Sequence, residues 1–228
     1  MIDDFAKAIG QLTDRRFLGV LVLALAITTA ILGGLAGTIL WAVGLIDYSF
    51  TIPFTDFQVQ GLDKAALVFA IAAIGVMSIF LMFPVAAVFI GFMLDRIADA
   101  VESEHYPGLP EPRRQPISEA IWNAVKFSLV LIVANILAFI IYLLSTILAP
   151  VIFWIVNGYL LSREYYELVA LRRMPPKEAR QLRKRHFWAI LPSGVLIAML
   201  LSVPILNLLA PLVGVAAFVH LYHRKQRD

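Results

Sequence analysis

FWAILPSGVLIAMLLSVPILNLLAPLVGVAAFV, residues 187–219, runs for 33 residues without one Asp, Glu, Lys, Arg or His. About 20 apolar residues already cross the ~30 Å hydrocarbon core of a bilayer, so the run is too long for one helix. Two prolines, Pro204 and Pro211, bracket Asn207 within it. At 1.5 Å per residue the arm before Pro204 reaches roughly 25 Å and the arm up to Val219 roughly 22 Å. Neither comfortably crosses. The run reads as a hairpin that enters the bilayer and returns to the side it came from. Backbone groups freed at its bend cannot face lipid, where each would cost several kcal/mol, so they must be buried against protein or line a wet cavity.

Three further uncharged runs precede it, at 17–46, 65–94 and 127–162. The chain of 228 residues is 61% hydrophobic and 15% charged, with a mean hydropathy of +0.83. That composition excludes soluble enzymes, nucleic-acid binders and secreted disulfide scaffolds, and places the chain among all-α integral membrane proteins. The absence of cysteine removes disulfides, thiolate nucleophiles and Cys-ligated metal centres. A cleaved signal peptide is the rival reading of the first run, but an h-region is about 7–15 residues long and this run has 30, so the segment is taken as mature protein.

Orientation follows from lysine and arginine. Of the 19, only Lys64 lies in the acidic segment 47–64, and eight lie in 163–185. The positive-inside rule puts 47–64 outside and both termini in the cytoplasm. The segments on both sides of 127–162 are then cytoplasmic, so that run must also enter and return, with Pro150 at its bend. Its first half could just cross. The expected layout is one membrane domain over 1–228: an amphipathic interfacial helix at 1–13, with Ile2, Phe5, Ile9 and Leu12 on its apolar side and Asp3, Asp4, Lys7 and Gln11 between them on the polar side; long transmembrane helices at 15–46 and 63–104; a first hairpin at 117–172; a basic cytoplasmic helix at 175–186; and a second, re-entrant hairpin at 187–223. Beyond Leu94 the second long helix becomes amphipathic, with Leu94, Ile97, Ala98 and Val101 opposite Asp95, Arg96, Asp99 and Glu102. The segment 47–64 reads as a short extended or hairpin-like loop. Hairpins that stop inside the bilayer need extensive packing, which favours an oligomer, and Gly33 with Gly37 offers a close helix contact.

No HExxH, GxSxG or GxxxxGK[ST] string and no enclosed acid pair is present, so neither enzymatic activity nor a cofactor is expected. His220 and His223, without a nearby acid, are better read as interfacial histidines than as metal ligands. Arg15 and Arg16 stand where a long apolar helix begins. Unpaired N–H groups, the positive dipole end and two guanidinium forks together suit a tetrahedral oxyanion. Membrane anchoring alone would place arginines there too. Asn157, Ser193 and Asn207 lie on the hairpins and are candidates to line a pathway. With no ionisable group in any run, proton symport has nothing to rest on, and passive movement is favoured. The basic stretch KEARQLRKRH, residues 177–186, suits acidic lipid head groups better than nucleic acid.

Asn157-Gly158-Tyr159, Arg163-Glu164-Tyr165-Tyr166-Glu167, Arg172-Arg173 and the string from Val203 to Pro211, VPILNLLAP, resemble the CysZ-type sulfate permeases and the wider etoposide-induced-protein superfamily. The likeness follows the segment order of nearly the whole chain. It implies two long transmembrane helices, two pairs of half-penetrating helices and an oligomer. It also implies uptake of sulfate, or a related oxyanion, for cysteine biosynthesis, with an anion site at Arg15 and Arg16. Thr13 and Asp14 stand before that pair, where glycine and an apolar residue are more usual. The alternative from another class is a structural or regulatory membrane protein that binds lipid or a partner through 163–186.

Overall fold

The computed structural model describes residues 2–44, 50–51, 58–59, 62–113, 115–144 and 147–227. They fold into helices with one short antiparallel strand pair, Phe50–Thr51 against Gln58–Val59. Contacts divide the chain into two units, Leu21–Phe89 and the combination of Met1–Val20 with Ile90–Asp228. Among the described residues, four helices are long and apolar enough to cross a membrane: Arg15–Ala42, Val68–Phe92, Ile117–Leu143 and Leu206–Gln226. This is an all-α membrane protein.

The unit Leu21–Phe89 holds most of α2 (Arg15–Gly44) and α3 (Leu62–Phe92). Both helices are apolar all round, the pattern of a helix whose neighbour is hydrocarbon. Val22, Leu35, Phe69, Ile79 and Phe80 are exposed. Pro84 does not end α3. A side chain at Gly33 or Gly37 would meet nothing within 4 Å, so these glycines make no close helix contact within the chain. The segment 47–64, apart from the strand pair and Leu62 onward, lies outside the described residues.

The larger unit is organised around α9 (Pro204–Arg227), in which every residue from 210 to 223 is buried. Around it pack α1 (Ile2–Gly10), α4 (Leu94–His105), α6 (Ala149–Leu171) and α8 (Phe187–Leu201), while α5 (Ile117–Leu144) packs on α6 and α7 (Pro176–Arg185) on α6 and α8. The helix α9 is longer than the uncharged run from which its length was expected. It continues through His220 and His223 to Arg227, about 36 Å at 1.5 Å per residue, because those polar residues find partners inside the unit. Shortness therefore no longer argues that this arm turns back. Of the two arms of this hairpin, α8, at 15 residues and about 23 Å, stays shorter than the hydrocarbon.

Two other expected elements are changed. The single helix over 63–104 is two, α3 and α4, because the helical path is broken by a turn at Met93 (φ −107°, ψ 3°), whose N–H donates to the Ile90 carbonyl at 2.8 Å. The turn puts Ile97, Ala98 and Val101 in the core against α9. In α1 the buried residues are Asp4, Phe5 and Ala8, packed on α9, whereas Ile2 and Ile9 are exposed. Asp4, placed on the polar side by periodicity, is drawn inward by Arg224, whose Nη2 donates to Asp4 Oδ2 over 2.6 Å.

The contact of α6 with α8 is set by two glycines. A Cβ at Gly158 would lie 2.5 Å from Val195 Cγ2 and 2.7 Å from Val195 Cα, and one at Gly194 would fall on the carbonyl oxygen of Gly158. Backbone cannot yield as a side-chain tip does, so Gly194→Ala must push the helices apart. We expect it to lower thermal stability in detergent by about 1–3 kcal/mol. Gly19→Ala, where nothing lies within 4 Å, should leave the melting temperature unchanged or raised.

Candidate functional site

The first helix of the membrane proper begins with a cap. Asp14 takes an extended conformation (φ −64°, ψ 137°), its carboxylate accepts the Arg16 N–H at 2.7 Å and its carbonyl accepts the Leu18 N–H at 3.0 Å. This is N-cap geometry, with the side-chain oxygen satisfying a donor of the first turn. It also sets a negative charge where an anion would meet the helix end. Arg15 and Arg16 are both exposed, and Arg16 Nη1 donates to Ser103 Oγ over 2.5 Å, tying the start of α2 to α4. Ser103 in turn donates to the Ala100 carbonyl. Beside them a cavity of about 410 Å³ is lined by Lys7, Gln11, Asp14, Glu104 and His105 among others.

Directly behind Ser103 lies a buried charge centre. Glu102 is only 4% exposed. Arg173 grips its carboxylate with two bonds, Nη2 to Oε2 at 2.5 Å and Nε to Oε1 at 3.0 Å, and His223 Nε2 donates to Oε1 over 3.2 Å. Arg172 reaches Oε2 at 3.3 Å and also binds Asp95 at 3.2 Å and Asp99. Burial works against ionisation of Glu102, but the bonds from His223 and Arg173 and the charge of Arg172 outweigh it and hold its pKa at about 2. The next turn continues the network: Tyr106 stacks on His223 with ring centroids 4.1 Å apart, its hydroxyl is hydrogen-bonded with His220 Nδ1 at 2.9 Å, and Gln11 Nε2 lies 2.9 Å from His105 Nδ1.

A second cluster joins α6 to α7, where Glu167 Oε1 lies 3.3 Å from both Arg163 Nε and Arg183 Nε. Among the described residues no group of three His, Asp or Glu side chains is arranged to hold a metal ion.

The three pathway candidates lie on helices that pack together, Asn157 on α6, Ser193 on α8 and Asn207 on α9. Their side chains do not form one array. Asn157 Nδ2 donates to the Phe153 carbonyl of its own helix at 2.8 Å, Ser193 is buried beside the Gly158–Gly194 crossing, and Asn207 is half-buried. Among the described residues no hydrogen bond joins the three. The link across the bend comes instead from Trp154, whose Nε1 donates to Ser202 Oγ over 3.1 Å.

Comparison with known proteins adds the decisive observation: residues 4–211 match the model of the family described as "Sulfate transporter CysZ/Etoposide-induced protein 2.4". The chain belongs to this family. No curated protein and no solved structure is matched. The sulfate transporter CysZ/etoposide-induced protein match takes in Arg15, Arg16, Ser103, Glu102, Arg172 and Arg173, while His220, His223 and Arg224 lie beyond its end.

Glu102, Ser103, His223 and Arg224 were missed as functional candidates in the sequence. A signal was present: Asp95, Asp99 and Glu102 fall at spacings of four and three on one helix face, and three carboxylates in a row require cations opposite. Which cations answered could not be read from spacing, since Arg172 and Arg173 are about 70 residues away.

The depressed pKa fixes a pH dependence. A carboxyl whose folded-state value is about 2 and whose ordinary value is 4.5 stabilises the fold above pH 4.5, and that contribution is lost as pH falls toward 2. Asp4, whose pKa is also lowered by Arg224 against the effect of burial, acts in the same direction. Glu102→Gln should cost about 3–5 kcal/mol, since it leaves Arg172 and Arg173 without their buried partner, and should partly flatten the acid limb of a melting-temperature profile between pH 4.5 and 2.

Proposed function

We propose that the chain is a sulfate permease that admits sulfate, or a related oxyanion, across a bacterial inner membrane for cysteine biosynthesis. The observation that carries this reading is the exposed Arg15 and Arg16 pair at the start of the first long apolar helix, in a chain of the sulfate transporter CysZ/etoposide-induced protein family. Sulfate is a tetrahedral dianion, and a guanidinium presents planar, paired N–H donors at the spacing of two of its oxygens. Because Asp14 already accepts from the first turn of α2, capture falls to the two guanidinium heads more than to the helix end. From there the anion follows hydroxyl, amide and backbone groups on the hairpins, with Asn157, Ser193 and Asn207 as lining candidates, and no covalent step.

The topology that goes with this reading has both termini in the cytoplasm, two hairpins that enter and return, and a homo-oligomer that covers the hairpin surfaces. The Asp4–Arg224 pair supports a common side for the termini, because it holds the first helix against the end of the last.

The test is flux of labelled sulfate into proteoliposomes. Replacing both Arg15 and Arg16 with Gln should weaken sulfate capture about tenfold or more, as expected when charge-assisted hydrogen bonds of about 1.5–3 kcal/mol each are lost. Asp14→Asn keeps the cap, because Asn caps as well as Asp, and removes the opposing charge. It should tighten half-saturation by sulfate severalfold. Wild-type protein that is folded and inserted yet gives no flux above empty vesicles overturns the proposal.

A further inference from the structure

The outward side of α7 and the first turn of α8 carry a stripe that neither the transport reading nor the family match accounts for. Lys177, Arg180 and Lys184 are all exposed. At 100° per residue they lie within about 60° of one another around the helix, with buried Ala179 on the far side. One charge in the same helix is spent inward: Arg183 turns to Glu167 at 3.3 Å. The exposed Glu178 sits on the other flank of α7, beside Arg185 and Gln226 in a shallow cavity of about 370 Å³. The stripe itself therefore holds three cations and no acid. Trp188 follows it at the start of α8, 82% exposed, with its ring edge against Phe187 at 5.1 Å. From that point on α8 carries no charged residue, and Ser193 is its one hydroxyl.

We propose that Lys177, Arg180, Lys184 and Trp188 form a docking face for the anionic phospholipid surface of the bilayer, selecting anionic over zwitterionic head groups. Charge complementarity fixes the occupant. A row of cations without a carboxylate faces outward at the level where an apolar helix begins, and an indole, apolar in body with one N–H, prefers the head-group layer. A soluble anion would need inward-pointing donors around a closed site, whereas these side chains lie on a convex surface. Each basic residue near an anionic membrane surface strengthens attraction by roughly fivefold, and the attraction is screened within a Debye length.

The test places the chain, with Trp41, Trp122 and Trp154 replaced by Phe so that Trp188 is the sole indole, in nanodiscs of mixed phosphatidylglycerol and phosphatidylcholine. The bromine quencher is carried on one lipid or the other. Brominated phosphatidylglycerol should quench Trp188 about threefold or more strongly than the same fraction of brominated phosphatidylcholine at low salt, and the preference should fade with NaCl. K177Q/R180Q/K184Q should bring the ratio to about one, and K177E/R180E/K184E should invert it, both with an unchanged size-exclusion profile. Equal quenching by the two lipids in the parent chain overturns the proposal, as does no quenching by either, which would mean that protein covers the face. Loss of the preference on adding inorganic phosphate beyond that given by NaCl of equal ionic strength also overturns it, in favour of a small-anion site.

Discussion

A carboxylate out of water is the constraint on which the larger unit depends. Glu102 is almost fully buried, and a buried charge is tolerated only when its lone pairs are filled and its charge is matched. The partners come from different parts of the chain: Arg172 and Arg173 from the end of α6, and His223 from the last turns of α9. One side chain thereby fixes the mutual positions of α4, α6 and α9. Arg172 spreads its charge further over Asp95 and Asp99, so the whole acidic face of α4 is held against the exit of α6. Cations left without this acid would be stranded at the centre of the unit, which makes the arrangement all-or-none.

The helix at that centre meets the two demands a membrane protein faces, close approach of helices and satisfaction of backbone. Without a hydrophobic driving force between helices in lipid, small residues at contacts decide which helices can pack. The helix α9 presents Ala210, Gly214, Ala216 and Ala217 to its neighbours, and a Cβ at Gly214 would fall 2.6 Å from a ring carbon of Tyr165. The bend between α8 and α9 closes its own hydrogen bonds: Ser202 N–H donates to Met199 O, Val203 N–H to Leu200 O, and Ser202 Oγ to Ala198 O while accepting from Trp154. The re-entrant layout proposed above would require this of the bend, since no water at membrane depth serves free backbone groups.

Composition and uninterrupted apolar length made the membrane class legible from the sequence, because burial of that much apolar surface has one solvent that suits it. Helix ends were less legible. A count of uncharged residues ended the last arm near Val219, whereas the helix runs on to Arg227, since His220 finds Tyr106 and His223 finds Glu102. The reverse error occurred in α1, where periodicity assigned Asp4 to solvent although Arg224 draws it inside. Both misses share a cause: hydropathy patterns assume that polar groups seek water, and they fail where a polar group has a partner far along the chain. The site followed the same rule. Arg15 and Arg16 could be proposed from the sequence because a helix start is a local feature, while the bonds of Ser103 and Glu102 reach residues 70 or more positions away.

These observations connect the buried charge centre to the proposed anion entrance. Arg16 extends from α2 to Ser103, and Ser103 is the residue next to Glu102 on α4. A helix residue follows its neighbour, so the bonds that pin Glu102 also set where Ser103 places its hydroxyl, and through it where the Arg16 guanidinium rests. Arg15, with its side chain exposed on the adjacent position, has no such anchor among the bonds of α4. The two arginines are thus unequal. Arg16 is held in place by the fold, and Arg15 is exposed without a bond to α4 among the described residues. Asp14, fixed by its cap to the N–H of Arg16, keeps a negative charge close to both. On the proposed transport reading this charge opposes tight binding of an anion, and loose binding is what a permeation path requires, since an ion that binds tightly at the mouth does not go on.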